Sequence, residues 1–279
     1  MAKILIVGCG DLGAELARLL VSDGHLVTGV RVSEKPGPLH VRLIQADVTH
    51  LDSLQSLSHI QAEILIYCVA ANAQTDESYR MHYVEGLQNV LHTQAHNNHL
   101  KHIFFVSSTR VYGQVTDNLL DELTPAEPCD FGGERLLEAE QLLSTMDCDT
   151  TKIRLAGIYG AGRQYLIKMA KEPSRWPESN KWTNRIHRDD AARFISFLCE
   201  KVVTGETIQD CYIGVDDMPT LQYDVLKWIA DQIGVVSTPM PADEKISGKR
   251  LSNQRLRSTG FQLKYSNYQI GYSEMLNDI

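Results

Sequence analysis

The chain has 279 residues, enough to bury a full core as one large α/β domain or as a large domain with a small annex. Its formal net charge is −8, with 43% hydrophobic and 22% charged residues; this ordinary globular balance argues against nucleic acid as the main partner, since phosphate-backbone binding needs a basic patch. No apolar run approaches a membrane span, no leader-like segment precedes the first strand, and the six cysteines form no C-x-x-C pair, so a cytoplasmic protein with reduced thiols and no metal is expected.

The first half alternates short apolar runs with helix-period segments. Strands are expected at Ile4–Val7, Leu26–Val30, Val41–Gln45, Ile64–Val69 and Ile103–Ser107. Between the first two, Leu12, Leu16, Leu19 and Leu20 fall at i, i+4, i+7 and i+8, the spacing of one apolar helix face. A second helix is expected from about Ser78 to Ala95, and another from Phe131, carrying Leu136, Leu137, Ala139, Leu142 and Leu143. Alternation of this kind implies βαβ units and a parallel sheet covered on both faces. Lys152–Leu155 reads as the sixth strand. Glu172 to Asn184, rich in Pro, Trp and Asn, reads as loop. A strand at Thr207–Ile213 and a helix at Leu221–Ile233 follow, then a polar tail from Pro239 onward. The expected architecture is a Rossmann doubly wound sheet over residues 1–155, with a smaller substrate-covering α/β part in 156–279 interleaved with the sheet.

The first strand runs straight into Gly8-Cys9-Gly10-Asp11-Leu12-Gly13, which opens the first helix. A lone G-x-G-x-x-G carries little weight, but here a strand precedes it and a helix and second strand follow. Gly8 allows the tight turn, Gly10 lets a pyrophosphate approach the backbone, and Gly13 lets the helix pack on the sheet. The helix N-terminus offers N–H groups and the positive end of a dipole to phosphates. An acidic residue at the end of the second strand would bind the ribose hydroxyls of NAD. Arg31 stands there instead, able to pair with a 2′-phosphate, so NADP is expected ahead of NAD.

Further landmarks follow in order. They are Asp47-Val48 after the third strand, Val69-Ala70-Ala71 after the fourth, Val84–Leu91 in the long helix and Ser107-Ser108-Thr109-Arg110-Val111-Tyr112-Gly113. Asp121–Pro125, Pro128, Arg154–Gly160 and His187–Asp190 come later. Together these resemble the extended short-chain dehydrogenase/reductase family, which includes the NAD-dependent epimerases and dehydratases, over nearly the whole chain. The resemblance implies adenine contact by Asp47 and Val48, a cofactor-facing Val69-Ala70-Ala71, and a substrate oxygen oriented by Ser108, with Thr109 beside it. It also implies a small-molecule substrate and a homodimer through the long helices.

The chain departs from this pattern where the chemistry should sit. The family follows its serine strand with Y-x-x-x-K, in which Tyr exchanges a proton and Lys binds the nicotinamide ribose. Aligned from Pro128, the Tyr position is Phe131 and the Lys position is Arg135. Phe cannot move a proton, which removes a group worth about 10²–10⁴ in rate. Arg135 can still hydrogen-bond a ribose and keep positive charge near the nicotinamide, but it cannot act as acid or base. Arg110, Glu122, Glu134 and Cys129 are other groups near enough in sequence to matter, whereas Tyr112 and His187 read as architectural. Arg163 and Arg185 are candidates for a substrate phosphate. Tyr83 replaces a structural Asn of the long helix, and the glycine spacing is shorter than the extended members' G-x-x-G-x-x-G. Two readings follow: an epimerase/dehydratase-like oxidoreductase acting on a small polar carbonyl or nucleotide-sugar-type substrate, or an NADP(H)-binding sensor without chemistry.

Overall fold

The computed structural model describes residues 1–236 and 246–277; Pro239 and the start of the polar tail lie outside them. The chain divides into two units. The first gathers Met1–Gly113, Ala126–Arg154 and Ala191–Tyr212, and the second gathers Gln114–Pro125, Leu155–Asp190 and Ile213–Ile279. Elements are numbered in chain order.

A seven-stranded sheet dominates the first unit, in the order β11-β7-β5-β4-β1-β2-β3. Its strands are β1 (Lys3–Val7), β2 (Leu26–Arg31), β3 (Arg42–Gln45), β4 (Ile64–Tyr67), β5 (His102–Ser108), β7 (Asp149–Leu155) and β11 (Cys211–Gly214). β1 pairs in parallel with both β2 and β4, β2 with β3, and β4 with β5. The expected doubly wound parallel sheet is therefore present. Ile4, Leu5, Ile6 and Val7 are all buried, as a continuous apolar run covered on both faces requires. Helix α1 (Asp11–Ser22) lays Leu12, Leu16, Ala17 and Leu20 against the sheet. Helices α4 (Phe131–Leu142) and α6 (Arg188–Val203) flank later strands in the chain.

The single helix expected over 78–95 has three parts: α2 (Asp76–Tyr79), a π-helical turn (Arg80–Glu85) and α3 (Gly86–Gln94). Each i→i+5 bond admits one extra residue per turn, which rotates the residues before the bulge relative to those after it. A 3₁₀ run over Leu51–His59 burying Leu54 and Leu57 was not foreshadowed by any periodic pattern.

The second unit is built from short pieces. Its strands are β6 (Leu119–Leu120), β8 (Gly157–Tyr159), β9 (Lys181–Thr183), β10 (Arg185–His187), β12 (Thr220–Leu221), β13 (Ser247–Gly248) and β14 (Arg250–Leu251). They form a β10-β8 pair, a β12-β9-β13 sheet and a β14-β6 pair. The segment read as loop over 172–184 thus contains a strand, β9, three residues too short to show alternation. Helices α5 (Tyr165–Ala170), α7 (Gln222–Gln232), α8 (Gln254–Ser258) and α9 (Tyr268–Asn277) complete it. Its core joins Ile167 and Ala170 of α5, Val225, Leu226 and Ile229 of α7, and Tyr268, Tyr272 and Met275 of α9 around Tyr159 and Trp176. Among the described residues no helix is long and apolar enough to cross a membrane.

Candidate functional site

Parallel pairing in the order β3-β2-β1-β4-β5 brings the carboxyl ends of these strands into one row. Along that row lie Asp47 and Val48, then Arg31, the glycine turn, Val69 to Ala71, and Ser107 to Thr109. Strand order reverses direction between β1 and β4, the place where doubly wound sheets bind ligands.

The glycine turn is held tightly between β1, β2 and the head of α1. Gly8 has φ +95°, and a Cβ there would lie 2.4 Å from the Cys68 carbonyl oxygen. A Cβ on Gly13 would lie 2.3 Å from the Gly8 oxygen, whereas one on Gly10 would meet nothing within 4 Å. Gly8 and Gly13 thus seat α1 against β1, while Gly10 faces open space. The N–H groups of Gly8 and Cys9 are both taken by the Val30 carbonyl at 2.9 and 2.8 Å, which fixes the turn against β2. Gly10 is the α1 N-cap and supplies no side-chain cap, so the start of the helix is left for an anion.

Arg31 ends β2 beside this turn. Its Nε and Nη2 are buried and meet no hydrogen-bond partner. Its near neighbour Cys9 is a neutral thiol: burial pushes its pKa up, against the opposing influence of the Arg31 charge. A guanidinium in this state wants an anion. Asp47 accepts from Thr49 N at 2.9 Å and from Thr49 Oγ1 at 2.7 Å. Partial burial raises its pKa, but these hydrogen bonds outweigh that and hold the carboxyl below its usual range. Asn89 of α3 donates to the Val48 carbonyl at 2.9 Å and so fixes the loop that follows β3.

At the end of β5, Ser108 Oγ accepts from Arg110 N at 3.2 Å, leaving its O–H free to donate. Thr109 is buried. Ser107 donates to Glu140 of α4 at 2.6 Å, and the same carboxylate binds Arg154 through Nε at 3.0 Å and Nη2 at 2.6 Å. Arg154 Nη1 donates to Tyr112 Oη at 2.7 Å, so Tyr112 is structural.

Phe131 begins α4, capped by Asp130, whose Oδ1 accepts from Gly133 N at 2.9 Å. Around its ring is a cluster that sequence reasoning missed. Arg110 clamps Asp130 through Nε at 2.8 and 3.0 Å, reaches Tyr79 Oη through Nη1 at 2.8 Å, and lies 5.0 Å from both the Tyr79 and the Phe131 ring centres. Tyr79 meets Phe131 edge-on at 5.5 Å. Gly132 makes room for this: a Cβ there would sit 2.4 Å from the Arg110 guanidinium carbon. The adjacent glycines of Phe131-Gly132-Gly133 were the available signal. Arg135, one turn on, is held by Asp76 through Nε at 2.7 Å and Nη2 at 3.1 Å, and by Glu138 at 2.8 Å. Its guanidinium is thus committed to two carboxylates.

Within the second unit, Arg163 and Arg185 line one cavity of about 650 Å³. Glu122 lies in the same unit but is spoken for, accepting from Ile213 N at 2.7 Å. His187 is buried, accepts from Asp189 N at 3.2 Å and stacks on Tyr265 with ring centres 3.7 Å apart, an architectural placement. Burial drives the Asp216 carboxyl up to about 7, against the lowering effects of Arg185 and the Met218 N–H. Between about pH 4 and pH 7 the folded state therefore keeps a proton that the unfolded chain releases, and stability falls as pH rises through that window. Asp216→Asn is expected to flatten this slope and to be more stable at pH 8 by about 1–3 kcal/mol. Urea midpoints of both proteins at pH 5 and pH 8 would show it; an unchanged slope would mean Asp216 ionises normally.

Strand order, glycine turn and the row of carboxyl-end loops together define a Rossmann-type dinucleotide-binding protein. The model of the NAD dependent epimerase/dehydratase family matches residues 4–214, and the chain belongs to that family. A Methylobacillus flagellatus protein described as a NAD-dependent epimerase/dehydratase is 46% identical, superposes with a TM-score of 0.90, and covers 99% of this chain and 98% of its own. Protein YeeZ of Escherichia coli K12 is 29% identical over 222 residues, 76% of this chain and 78% of YeeZ. The Bordetella bronchiseptica enzyme WbmG, solved with NAD, shares the fold at a TM-score of 0.79 and 15% identity, over 99% of this chain and 93% of its own.

Proposed function

We propose that the chain is an NADP(H)-dependent oxidoreductase of epimerase/dehydratase type that acts on a small polar carbonyl or nucleotide-sugar-type substrate. The observation that carries the cofactor choice is Arg31, with two buried guanidinium nitrogens lacking any partner beside the glycine turn. Gly8, Gly10 and Gly13, with Asp11 and Leu12 at the head of α1, would hold the pyrophosphate; Arg31 would take the 2′-phosphate; Asp47 and Val48 would border the adenine. Val69, Ala70 and Ala71 would border the nicotinamide side. The dinucleotide would supply the hydride. Ser108, whose O–H is left to donate, would polarise the substrate oxygen, with Thr109 beside it. Arg135 would contribute positive charge to the ribose side, tempered by its two carboxylate partners.

A second reading is favoured by the same region. Phe131 offers no hydroxyl and Arg135 is already paired with Asp76 and Glu138, a combination suited to reading NADP(H) without turnover.

Titration with NADPH and NADH in parallel, followed by nicotinamide fluorescence, tests the shared premise. Clearly tighter NADPH binding is expected; failure of both nucleotides to bind would withdraw both readings. The double substitution Phe131→Tyr with Arg135→Lys separates them. If the wild type already exchanges hydride with members of a carbonyl and nucleotide-sugar panel, the restored phenol should raise the rate by about 10²–10⁴. Activity confined to the double variant would favour the sensor.

A further inference from the structure

A cavity of about 410 Å³ opens in the first unit at the end of the sheet opposite the glycine turn. It is lined from the amino ends of β1 and β2, the start of β3 and the residues that close the 3₁₀ run. From Lys3 to Gly8 the chain advances about 17 Å, at roughly 3.3 Å per residue, so this cavity is separate from the row of carboxyl-end loops. Lys3, Arg42, His40 and His59 all line it, and none of its lining residues is Asp or Glu. Lys3 and Arg42 come from strands on either side of β2, in register with Leu26 and Thr28. Among the described residues none of the four side chains makes a hydrogen bond or an ion pair. Glu63 feels the Lys3 charge, but its carboxylate is engaged by Lys101 Nζ at 2.7 Å and by the Lys3 N–H at 3.2 Å. In a chain of net charge −8, such a lining departs from the surface average. His40 holds φ +62°, the one non-glycine residue at positive φ among the described residues, a conformation that costs energy. The lining also carries apolar surface, with Leu26 53% exposed and Ile60 half-buried.

From this arrangement we propose that the cavity is a second ligand site, distinct from the dinucleotide row, that takes an organic phosphate. Its oxygens would lie on Lys3 and Arg42 and its apolar body against Leu26 and Ile60. Lysine and arginine side chains only donate, and each imidazole offers at least one further N–H or acceptor. Their complement is therefore a group rich in acceptors. A phosphate monoester presents three oxygens and close to two negative charges, which matches two cations; a carboxylate matches one. A bare anion satisfies the cations but leaves Leu26 in water. A neutral aromatic does the reverse.

The two histidines report on the site directly. In the full chain labelled with carbon-13 histidine, their ring signals are assigned with His40→Gln and His59→Gln. The probes are phenyl phosphate, inorganic phosphate, benzoate and phenol, at constant ionic strength. Phenyl phosphate is expected to shift both signals along a saturable curve, at least threefold tighter than inorganic phosphate or benzoate, while phenol shifts neither. Lys3→Gln with Arg42→Gln should weaken phenyl phosphate by more than tenfold; both side chains are exposed, so the variant keeps the fold. Arg31→Met, which removes the cation of the dinucleotide row, should leave the curve unchanged. Signals that do not move, that move as far with sodium chloride, or that titrate equally in the Lys3/Arg42 variant overturn the proposal. A curve lost in Arg31→Met would put the probe in the dinucleotide row and overturn it too, and benzoate equal to phenyl phosphate would overturn the choice of phosphate. None of these outcomes depends on the chain being an oxidoreductase, so this site and that reading can fail separately.

Discussion

Replacing Arg31 by methionine is expected to weaken NADPH binding by about ten- to a hundredfold while leaving NADH binding within about twofold. The magnitude is that of a charge-assisted pair lost from a partly buried site, roughly 1.5–3 kcal/mol. NADH has no group for the guanidinium to hold, so removing the charge costs it little. Buried and unpartnered as they are, Nε and Nη2 destabilise the unloaded protein, and methionine of similar length relieves that while keeping the packing. The variant should accordingly be no less stable than the wild type without nucleotide. Paired fluorescence titrations decide the matter. An equal loss for both nucleotides would show that Arg31 supports the glycine turn rather than selecting a phosphate.

The largest stability effect is expected at Glu140. Its carboxylate is buried and binds Ser107 and the Nε and Nη2 of Arg154, and Arg154 is itself buried against Tyr112. Glu140→Ala leaves the guanidinium enclosed without its counter-charge, at a cost of about 3–5 kcal/mol. Replacing both partners, Glu140→Met with Arg154→Met, should recover part of that, since two apolar chains of similar volume leave no buried charge unpaired, although the Ser107 and Tyr112 hydroxyls lose their partners. Urea denaturation of the single and double variants measures it. A double variant as unstable as the single one would mean the pair's value lies in the Ser107 and Tyr112 contacts.

What could be read from the sequence follows from the range of the interactions. The parallel sheet was legible because strand and helix periods are local and the glycine turn fixes where β1 ends. The place of Arg31 at the end of β2 was legible because that strand is short and its end is adjacent to the turn. Ala-Ala and Ser-Ser followed from position in the strand order. The partners of Arg135 were not legible, since Asp76 lies 59 residues away. Nor was the meeting of Arg110 with Tyr79 and Asp130, which joins three segments through side chains that carry no periodic signal. In the second unit, strands of two and three residues are too short for alternation to declare itself. There Arg185 and Gln222 come from β10 and the head of α7, and nothing in either segment announces that they share a cavity.

Gly132 sets a condition on where the charge of Arg110 can rest. A side chain at 132 would put its first carbon 2.4 Å from the guanidinium carbon, so the flexible arginine would have to swing off its seat between Asp130 and Tyr79. The location of one positive charge is thus decided by the absence of a side chain on a different element of the fold.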